Sequence, residues 1–226
     1  GLLDIYFTGS QVSDKLYLNQ GGFHFKDITG NAGIDTLSTS WNTGVTTVDI
    51  NADGLLDIYV CTVSGHLDLK GHNKLYINQG TTNGIPTFKE AASEYGLDFA
   101  GLSTQASFFD YDQDGDLDMY LLNHSVHPNS NYGRAAIRKV PDNLRGDKLY
   151  RNDDGKFTEA TQQAGIFSSK IGYGLGVSVA DLNNDSYPDI YIANDFFEND
   201  YVYLNNQDST FSEVNTTQNL LGHTSH

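Results

Sequence analysis

Short apolar and aromatic segments alternate with polar, turn-like segments along most of this chain. The polar segments are rich in Asp, Asn and Gly, which favour turns, whereas the segments between them are rich in Ile, Val, Tyr and Phe, which favour strands. Three acidic turns are followed by DIYV, DMYLL and DIYIAN and preceded by TGVTTVD, QASFFD and GVSVAD. This pattern predicts an all-β protein in which each acidic turn closes a β-hairpin.

The three acidic turns share one nine-residue pattern, with oxygen-bearing side chains at positions 1, 3, 5 and 9 and Gly or Ser at position 6. Two carboxylates about 4 Å apart repel each other by about 4 kcal/mol at an effective dielectric constant of about 20. Such clusters favour a bound cation, and Ca²⁺ takes roughly six to eight oxygen ligands. The pattern predicts about three Ca²⁺ sites, with the side-chain ligands Asp49, Asn51, Asp53, Asp57, Asp110, Asp112, Asp114, Asp118, Asp181, Asn183, Asp185 and Asp189.

The position that follows each loop separates it from a helical calcium site. An EF-hand needs a bidentate Glu at position 12 and a helix after the loop. Position 12 is apolar in all three copies, at Val60, Leu121 and Ile192, and the segments around it favour strands. The sequence therefore excludes both the EF-hand and the dockerin interpretations.

The three loops are not equivalent. The middle loop has carboxylates at positions 1, 3, 5 and 9, whereas the outer two have the neutral Asn51 and Asn183 at position 3. The middle site is therefore predicted to bind Ca²⁺ most tightly. The third loop has Ser186 at position 6, where Gly would adopt a left-handed conformation most easily, so it is predicted to bind most weakly.

The remaining loop positions carry two further predictions. Position 7 is expected to contribute its backbone carbonyl as a ligand, at Leu55, Asp116 and Tyr187. The side chain of Asp116 is then left to face solvent or an outer-shell water. The apolar residues at positions 2 and 8 are expected to pack under the loops, at Ile50, Tyr111, Leu182, Leu56 and Leu117.

Each loop belongs to a longer repeat, because an L-Y-x-N phrase and then a Phe follow it. The phrases begin at Leu75, Leu149 and, as V-Y-L-N, at Val202, and a partial copy opens the chain. Units of this size, with about four short strands, are typical of propeller blades, whereas a β-helix has a shorter period and a sandwich does not normally repeat its sequence. The tyrosines and phenylalanines are then interpreted as core between blades. The repeats are predicted at 1–42 (partial), 43–101, 102–172 and 173–226.

About three full units and a partial one fall short of a closed ring, since propellers have about four to eight blades. Residues 1–226 are therefore predicted to be a segment of a single β-propeller domain. The charge of −16 argues against nucleic acid as a partner, and no apolar run approaches the roughly 20 residues of a membrane helix. Cys61, the one cysteine, is predicted to be a buried, inert thiol. Because only extracellular calcium would fill weak sites, the protein is expected outside the cytoplasm.

These repeats resemble FG-GAP/VCBS repeats, the calcium-loop blades of the integrin alpha-chain propeller. More narrowly, LLNHSVH at 121–127, ANDFFENDYVYLNN at 193–206 and the terminal GHTSH resemble secreted bacterial proteins of the cartilage-acidic-protein, ASPIC/UnbV-associated type. The resemblance implies a seven-bladed propeller with Ca²⁺ in the hairpin loops and a role in surface binding. It does not fix a substrate.

Three further features invite a functional interpretation. A long insertion, 124–147, carries Arg134, Arg138, Lys139 and Arg145, and could meet an anionic glycan or pair with neighbouring carboxylates. Histidines stand three apart at His124 and His127 and at His223 and His226, and a metal site would need a third ligand. A polar cluster follows the third exit strand, at Asn194, Asp195, Glu198 and Asp200. It could line a pocket, extend the third metal site or cap a turn, and the turn cap is the first interpretation.

Two classes of function remain. The first is a non-enzymatic calcium-stabilised scaffold that binds a protein or glycan ligand at the cell surface, alone or beside other subunits of an outer-membrane assembly. The alternative is a polysaccharide lyase or hydrolase built on a calcium-loop propeller. No G-x-S-x-G, H-E-x-x-H or P-loop motif occurs in the chain, and no catalytic residue is assigned.

Overall fold

The computed structural model describes residues 2–126, 137–195 and 198–218. Its strands form four antiparallel sheets. The first sheet has three strands, β1 (Ile5–Phe7), β2 (Lys15–Asn19) and β3 (Phe25–Asp27), and the second has four, β4 (Trp41–Val48), β5 (Asp57–Val63), β6 (Lys74–Thr82) and β7 (Ile85–Glu90). The third contains β8 (Ser103–Phe109), β9 (Asp118–Asn123), β10 (Lys148–Asp153) and β11 (Lys156–Glu159). The fourth contains β12 (Gly174–Ala180), β13 (Asp189–Asn194), β14 (Tyr201–Asn205) and β15 (Phe211–Glu213).

Strands that follow one another in sequence are neighbours in every sheet. This up-and-down order confirms the all-β prediction and the unit of about four strands. The chain divides after Ala100 into two compact units, of which the first contains the first two sheets and the second contains the other two. The seven-bladed wheel stays a prediction.

Each acidic loop is the turn of a hairpin, as predicted. Its ends pair across β4 and β5, β8 and β9, and β12 and β13, through Val48 with Asp57, Phe109 with Asp118 and Ala180 with Asp189. The nine-residue pattern therefore begins one residue after the first strand and ends on the first residue of the second.

Each unit has its own core. In the first unit, Tyr76 of an L-Y-x-N phrase packs with Leu16, Ile28 and Ile58, and Phe88 lies against this cluster. In the second unit, Tyr203 packs with residues of both sheets, including Leu122, Ile190 and Phe211. Most of the repeated aromatic residues thus belong to the core, as the sequence predicted. Two short helices, α1 (Ala92–Tyr95) and α2 (Asn215–Gln218), follow β7 and β15.

The expectation that positions 2 and 8 pack under the loops was only partly right. Ile50 and Tyr111 are buried, and Leu117 is half-buried, but Leu56 is 60% exposed and Leu182 is 52% exposed. Position 8 lies just outside the second strand, which begins with the buried Asp at position 9. At position 2, Tyr111 packs in the core of the second unit, where the centre of its ring lies 5.9 Å from that of Phe211.

Candidate metal centre

The backbone of each acidic loop turns through two left-handed residues, at positions 4 and 6. Position 6 has φ 84° at Gly54, 100° at Gly115 and 72° at Ser186, while position 4 is Ala52, Gln113 or Asn184. Only Gly adopts this region without steric cost. Ser186 nevertheless follows the same path, so the third loop keeps its shape against a local conformational preference.

The position-1 carboxylate organises the turn from inside. In the middle loop, Asp110 accepts hydrogen bonds from the backbone amides of Asp114 and Gly115, both at 3.1 Å. Asp49 and Asp181 accept the same two amides of their own loops at 2.9–3.0 Å. The first carboxylate therefore holds one local structure in all three copies.

The position-9 carboxylate ties the loop to the third strand of its sheet. Asp118 accepts hydrogen bonds from the backbone amides of Tyr111 at 3.0 Å and Asn152 at 2.8 Å. The side-chain amide of Asn152 donates to the carbonyl of Leu117 at 3.1 Å. Asp57 and Asp189 make the equivalent bonds. The Asn of the L-Y-x-N phrase therefore holds the acidic loop against the third strand. The sequence showed that this Asn is repeated but not what it contacts.

Three carboxylates converge in the middle loop. One oxygen from each of Asp110, Asp112 and Asp118 lies within 4.8 Å of the others, and Oδ1 of Asp112 is buried without a hydrogen-bond partner. Burial raises the pKa of Asp118 to about 7 against its two amide donors, and the charges of Asp112 and Asp114 raise it further. Burial, followed by the charges of Asp114 and Asp110, also raises the pKa of Asp112. Clustered oxygens with an unpaired buried acceptor fit a hard cation such as Ca²⁺.

Asp114 lies outside that convergent group. One of its oxygens accepts the amide of Asp116 at 2.9 Å, which supports the turn. Asp116 itself accepts the amide of Asp154 at 3.0 Å, so its side chain lies on the β10–β11 turn, an arrangement the sequence did not indicate. The position-7 carbonyls, and position 5 as a ligand, stay predictions.

The outer loops satisfy their acidic residues in a different way. Asn51 donates its side-chain amide to Asp53 at 3.0 Å and accepts the backbone amide of Asp53 at 3.2 Å. Asn183 repeats both contacts with Asp185, at 3.0 and 3.1 Å. An Asp at position 3 cannot donate such a bond when ionised. The outer loops are therefore internally paired where the middle loop has a buried, unpaired oxygen.

The middle and third loops touch within the second unit. Gln113 donates its side-chain amide to the carbonyl of Ser186 at 2.8 Å, across 73 residues of sequence. Gln207 donates to Asp185 at 3.1 Å from the turn after β14. The backbone amide of Tyr187, followed by the Gln207 hydrogen bond, lowers the pKa of Asp185.

A second repeated arrangement holds the opposite end of each sheet. In the third sheet, Asp147 accepts hydrogen bonds from the backbone amide of Asn123 at 2.8 Å and from the hydroxyl of Tyr120 at 2.9 Å. Asp14 and Asp200 make the same pair of contacts in the first and fourth sheets. In the second sheet the position is occupied by Asn73, which donates to the hydroxyl of Tyr59 at 3.0 Å. Sequence reasoning named Asp200 as a turn cap but missed Asp14, Asn73 and Asp147, although D-K-L-Y, N-K-L-Y, D-K-L-Y and D-Y-V-Y carry the signal.

The basic insertion pairs with carboxylates where the structure describes it. Arg138 forms a hydrogen-bonded ion pair with Glu198, and the two side chains are only 16% and 1% exposed. Arg145 lies 3.8 Å from Asp142, and the ammonium of Lys139 lies 5.4 Å from the centre of the Phe167 ring. This supports pairing over an exposed basic surface for these residues. Arg134 lies outside the described residues.

The other candidate residues have structural partners. Asp200 accepts a hydrogen bond from the backbone amide of Asn194 and so caps the β13–β14 turn, which confirms the cap interpretation for this residue. The backbone amide of Asp195 donates to the carbonyl of Tyr173, and Glu198 instead pairs with Arg138. His124 is half-buried, and this burial lowers its pKa. His127, His223 and His226 lie outside the described residues. Cys61 is buried, as predicted, and burial raises the pKa of its thiol.

In the described part of the chain, three of four meandering antiparallel sheets have an acidic hairpin turn at one end, and each of the four has a carboxylate or amide clamp at the other. This arrangement defines a β-repeat protein of the kind that forms propeller blades. A family model for the FG-GAP-like repeat matches residues 1–60 and 140–192, which together make up half of the chain. The chain belongs to the FG-GAP-like repeat family.

The other comparisons are more distant. No curated protein matches the sequence. Among solved structures, the chain is similar to a lectin from Agrocybe aegerita described as specifically recognising non-reducing terminal N-acetylglucosamine, with 15% sequence identity and a TM-score of 0.32. The similarity covers 92% of this chain and 61% of the lectin, so the chain spans less than two thirds of the lectin's length. Within the described residues, neither helix has the length or apolar character needed to cross a membrane.

Proposed function

We propose that this chain is part of a non-enzymatic, calcium-stabilised binding scaffold that acts outside the cytoplasm. The observation that carries the proposal is the middle loop, where three carboxylates converge around a buried, unpaired oxygen of Asp112. Asp110, Asp112 and Asp118 would hold the cation, which when bound neutralises their mutual repulsion. The residues of the outer loops would provide two further, weaker sites.

The cation would act on the sheet as well as on the loop. Asp118 is bonded to the loop through Tyr111 and to β10 through Asn152, so fixing its carboxylate fixes three strands relative to one another. When the sheet is stabilised in this way, the loops at the end opposite the acidic turns can bind a ligand. Repeated sheets with variable loops support binding of a protein or glycan, the role that the FG-GAP-like repeat suggests.

The location and the wider assembly are part of the same proposal. Extracellular calcium is abundant enough to occupy weak sites, which supports a secreted or cell-surface protein. Its partners would include subunits of an outer-membrane assembly. The phrases at 121–127 and 193–206 support the closer relationship to secreted ASPIC/UnbV-associated proteins and, with it, a seven-bladed wheel.

A glycan and surface-protein array, probed with the chain in Ca²⁺ and again in chelator, tests the binding function. We expect saturable binding that is reduced in chelator, because loop stability and sheet stability are linked. A parallel assay for release of unsaturated or reducing uronic acids from acidic polysaccharides tests the enzymatic alternative. Catalytic product formation would overturn the scaffold proposal, as would the absence of any bound ligand on either array.

A further inference from the structure

A pocket in the first unit is built around Trp41, the only tryptophan of the chain. Trp41 is the first residue of β4, pairs with Val63 of β5 and forms a bridge with Ser10 on its other side. Its backbone is therefore fixed from both directions, yet the residue is 42% exposed. A large aromatic side chain held on a rigid strand and open to solvent is suited to recognition.

Two turns complete the pocket beside the indole. Gln11 comes from the β1–β2 connection, where its backbone amide donates a hydrogen bond to the carbonyl of Ser40 at 3.0 Å. The β5–β6 connection contributes Leu67, Asp68 and Leu69. Both Gln11 and Leu67 have left-handed backbones, with φ 60° and 53°. Such conformations are costly for residues other than Gly and occur often where loops are shaped for function. The pocket has a volume of about 260 Å³.

We propose that this pocket binds a single neutral saccharide ring. The inference deepens the proposed binding function and rests on it. The apolar C–H face of a sugar packs on an exposed indole, while its hydroxyl groups need donors and acceptors at the edge. Asp68 offers acceptors and Gln11 offers both kinds of group, and both residues are exposed at the pocket. Leu67 and Leu69 supply the remaining apolar surface.

Size and charge narrow the class of ligand. Pockets for drug-sized ligands have volumes of roughly 300–1,000 Å³, so a smaller pocket suits one ring better than an extended peptide. Among the described residues, Asp68 is the one charged residue that lines the pocket, and its carboxylate repels the carboxylate of a uronic acid. The site therefore favours neutral sugars over acidic ones, in contrast to the anionic glycans that the basic insertion suggested.

The single tryptophan provides a direct measurement, because all indole fluorescence of the chain comes from the pocket. We would titrate the chain with glucose, galactose, mannose and N-acetylglucosamine, and with glucuronate and galacturonate as acidic counterparts. Neutral sugars are expected to change the fluorescence saturably, and uronates are expected to have little effect. Calorimetry repeats each titration, so that variants without tryptophan can be compared.

Two variants and one control test the assignment. Trp41→Leu is expected to weaken binding of the neutral sugar at least about tenfold, because the stacking surface is lost. Asp68→Asn removes only the charge and is expected to reduce the discrimination against uronates. Phe23→Ala, which removes a 96% exposed ring from the β2–β3 turn of the same unit, is expected to leave binding unchanged.

The outcomes separate this inference from the proposed function. Binding of neutral sugars that Trp41→Leu retains leaves the scaffold function intact and overturns the pocket assignment. Equal binding of uronates and neutral sugars, or no response to any neutral sugar, overturns it as well. A fluorescence change with peptides from the protein array but not with sugars reassigns the pocket to a peptide ligand. Loss of neutral-sugar binding in Trp41→Leu, with Phe23→Ala unaffected, supports the inference.

Discussion

Asp118 accepts a hydrogen bond from the backbone amide of Asn152 at 2.8 Å, which joins the middle acidic loop to a strand that lies 34 residues away in sequence. The same carboxylate accepts the amide of Tyr111 inside the loop at 3.0 Å. One buried side chain therefore connects the loop to the sheet, so a cation bound in the loop should also increase the stability of the sheet.

The first prediction concerns removal of calcium. A site that is filled at about 100 times its dissociation constant stabilises the folded state by about 2.7 kcal/mol, so chelation should lower the melting temperature clearly. Differential scanning calorimetry in calcium and in chelator measures the effect. Asp98→Asn, which removes an exposed carboxylate outside the loops, should respond to calcium as the unaltered chain does. A melting temperature that ignores both chelator and calcium would contradict the metal assignment.

Asp112→Asn should make the middle loop resemble its outer neighbours. The new amide can donate to Asp114, as Asn51 donates to Asp53 at 3.0 Å. In chelator the variant should be more stable by about 1 kcal/mol, since an amide group that donates a hydrogen bond replaces the unpaired oxygen. In calcium titrations the tightest site should weaken at least about tenfold, because one ligand charge is lost. Denaturant melts and isothermal titration calorimetry measure the two effects.

Asn51→Asp is the reciprocal change and serves as the matched control. It removes the amide donor beside Asp53 and should lower stability in chelator by up to about 1 kcal/mol. Calcium affinity of the first loop should rise. If both exchanges shift stability in the same direction, the explanation based on position 3 is wrong.

Ser186→Gly should stabilise the third loop. Ser186 has φ 72°, a conformation that costs an L-residue about 1 kcal/mol and costs Gly little. Chemical denaturation should show a gain of about 1 kcal/mol, less the greater freedom of Gly in the unfolded chain. Ser186→Ala keeps the Cβ atom and should show no gain. An equal gain from both substitutions would place the effect in the side chain instead of the backbone.

The fourth prediction concerns pH. Burial raises the pKa of Asp147 to about 7, although the amide of Asn123 and the hydroxyl of Tyr120 oppose the shift. The folded state therefore binds this proton more tightly than the unfolded state does, whose Asp pKa is about 3.9. The contribution to stability is complete below pH about 3.9 and is lost as the pH rises through about 7.

In chelator, stability should thus fall as the pH rises from about 5 to about 7, by up to about 1.4 kcal/mol per pH unit for each proton released. Asp118 has a similarly raised pKa and acts in the same direction when no cation is bound. Asp147→Asn should flatten this dependence by up to one proton while keeping the fold, because Asn73 occupies the equivalent position in the second sheet. Melts across this pH range measure the slope, and an unchanged slope in the variant would refute the assignment.

The sequence alone determined the hairpins, the repeat and the candidate loop residues. These features depend on neighbours within about ten residues: Asp, Asn and Gly close the turns, and β-branched and aromatic residues form the strands beside them. Val48 and Asp57, the ends of one loop, could be paired from the printed letters because only the turn lies between them. The repeated phrases then indicated that other hairpins have the same structure.

The tertiary structure decided which of those residues meet. It brings Asp110, Asp112 and Asp118 together and directs Asp114 elsewhere. It pairs Arg138 with Glu198, which lies 60 residues further along the chain. It also brings Trp41 next to residues of the β1–β2 and β5–β6 connections. These contacts depend on strand pairing, on the face that each side chain occupies and on what covers it. Local sequence specifies none of these, because the partner residues become neighbours only after the sheets have formed.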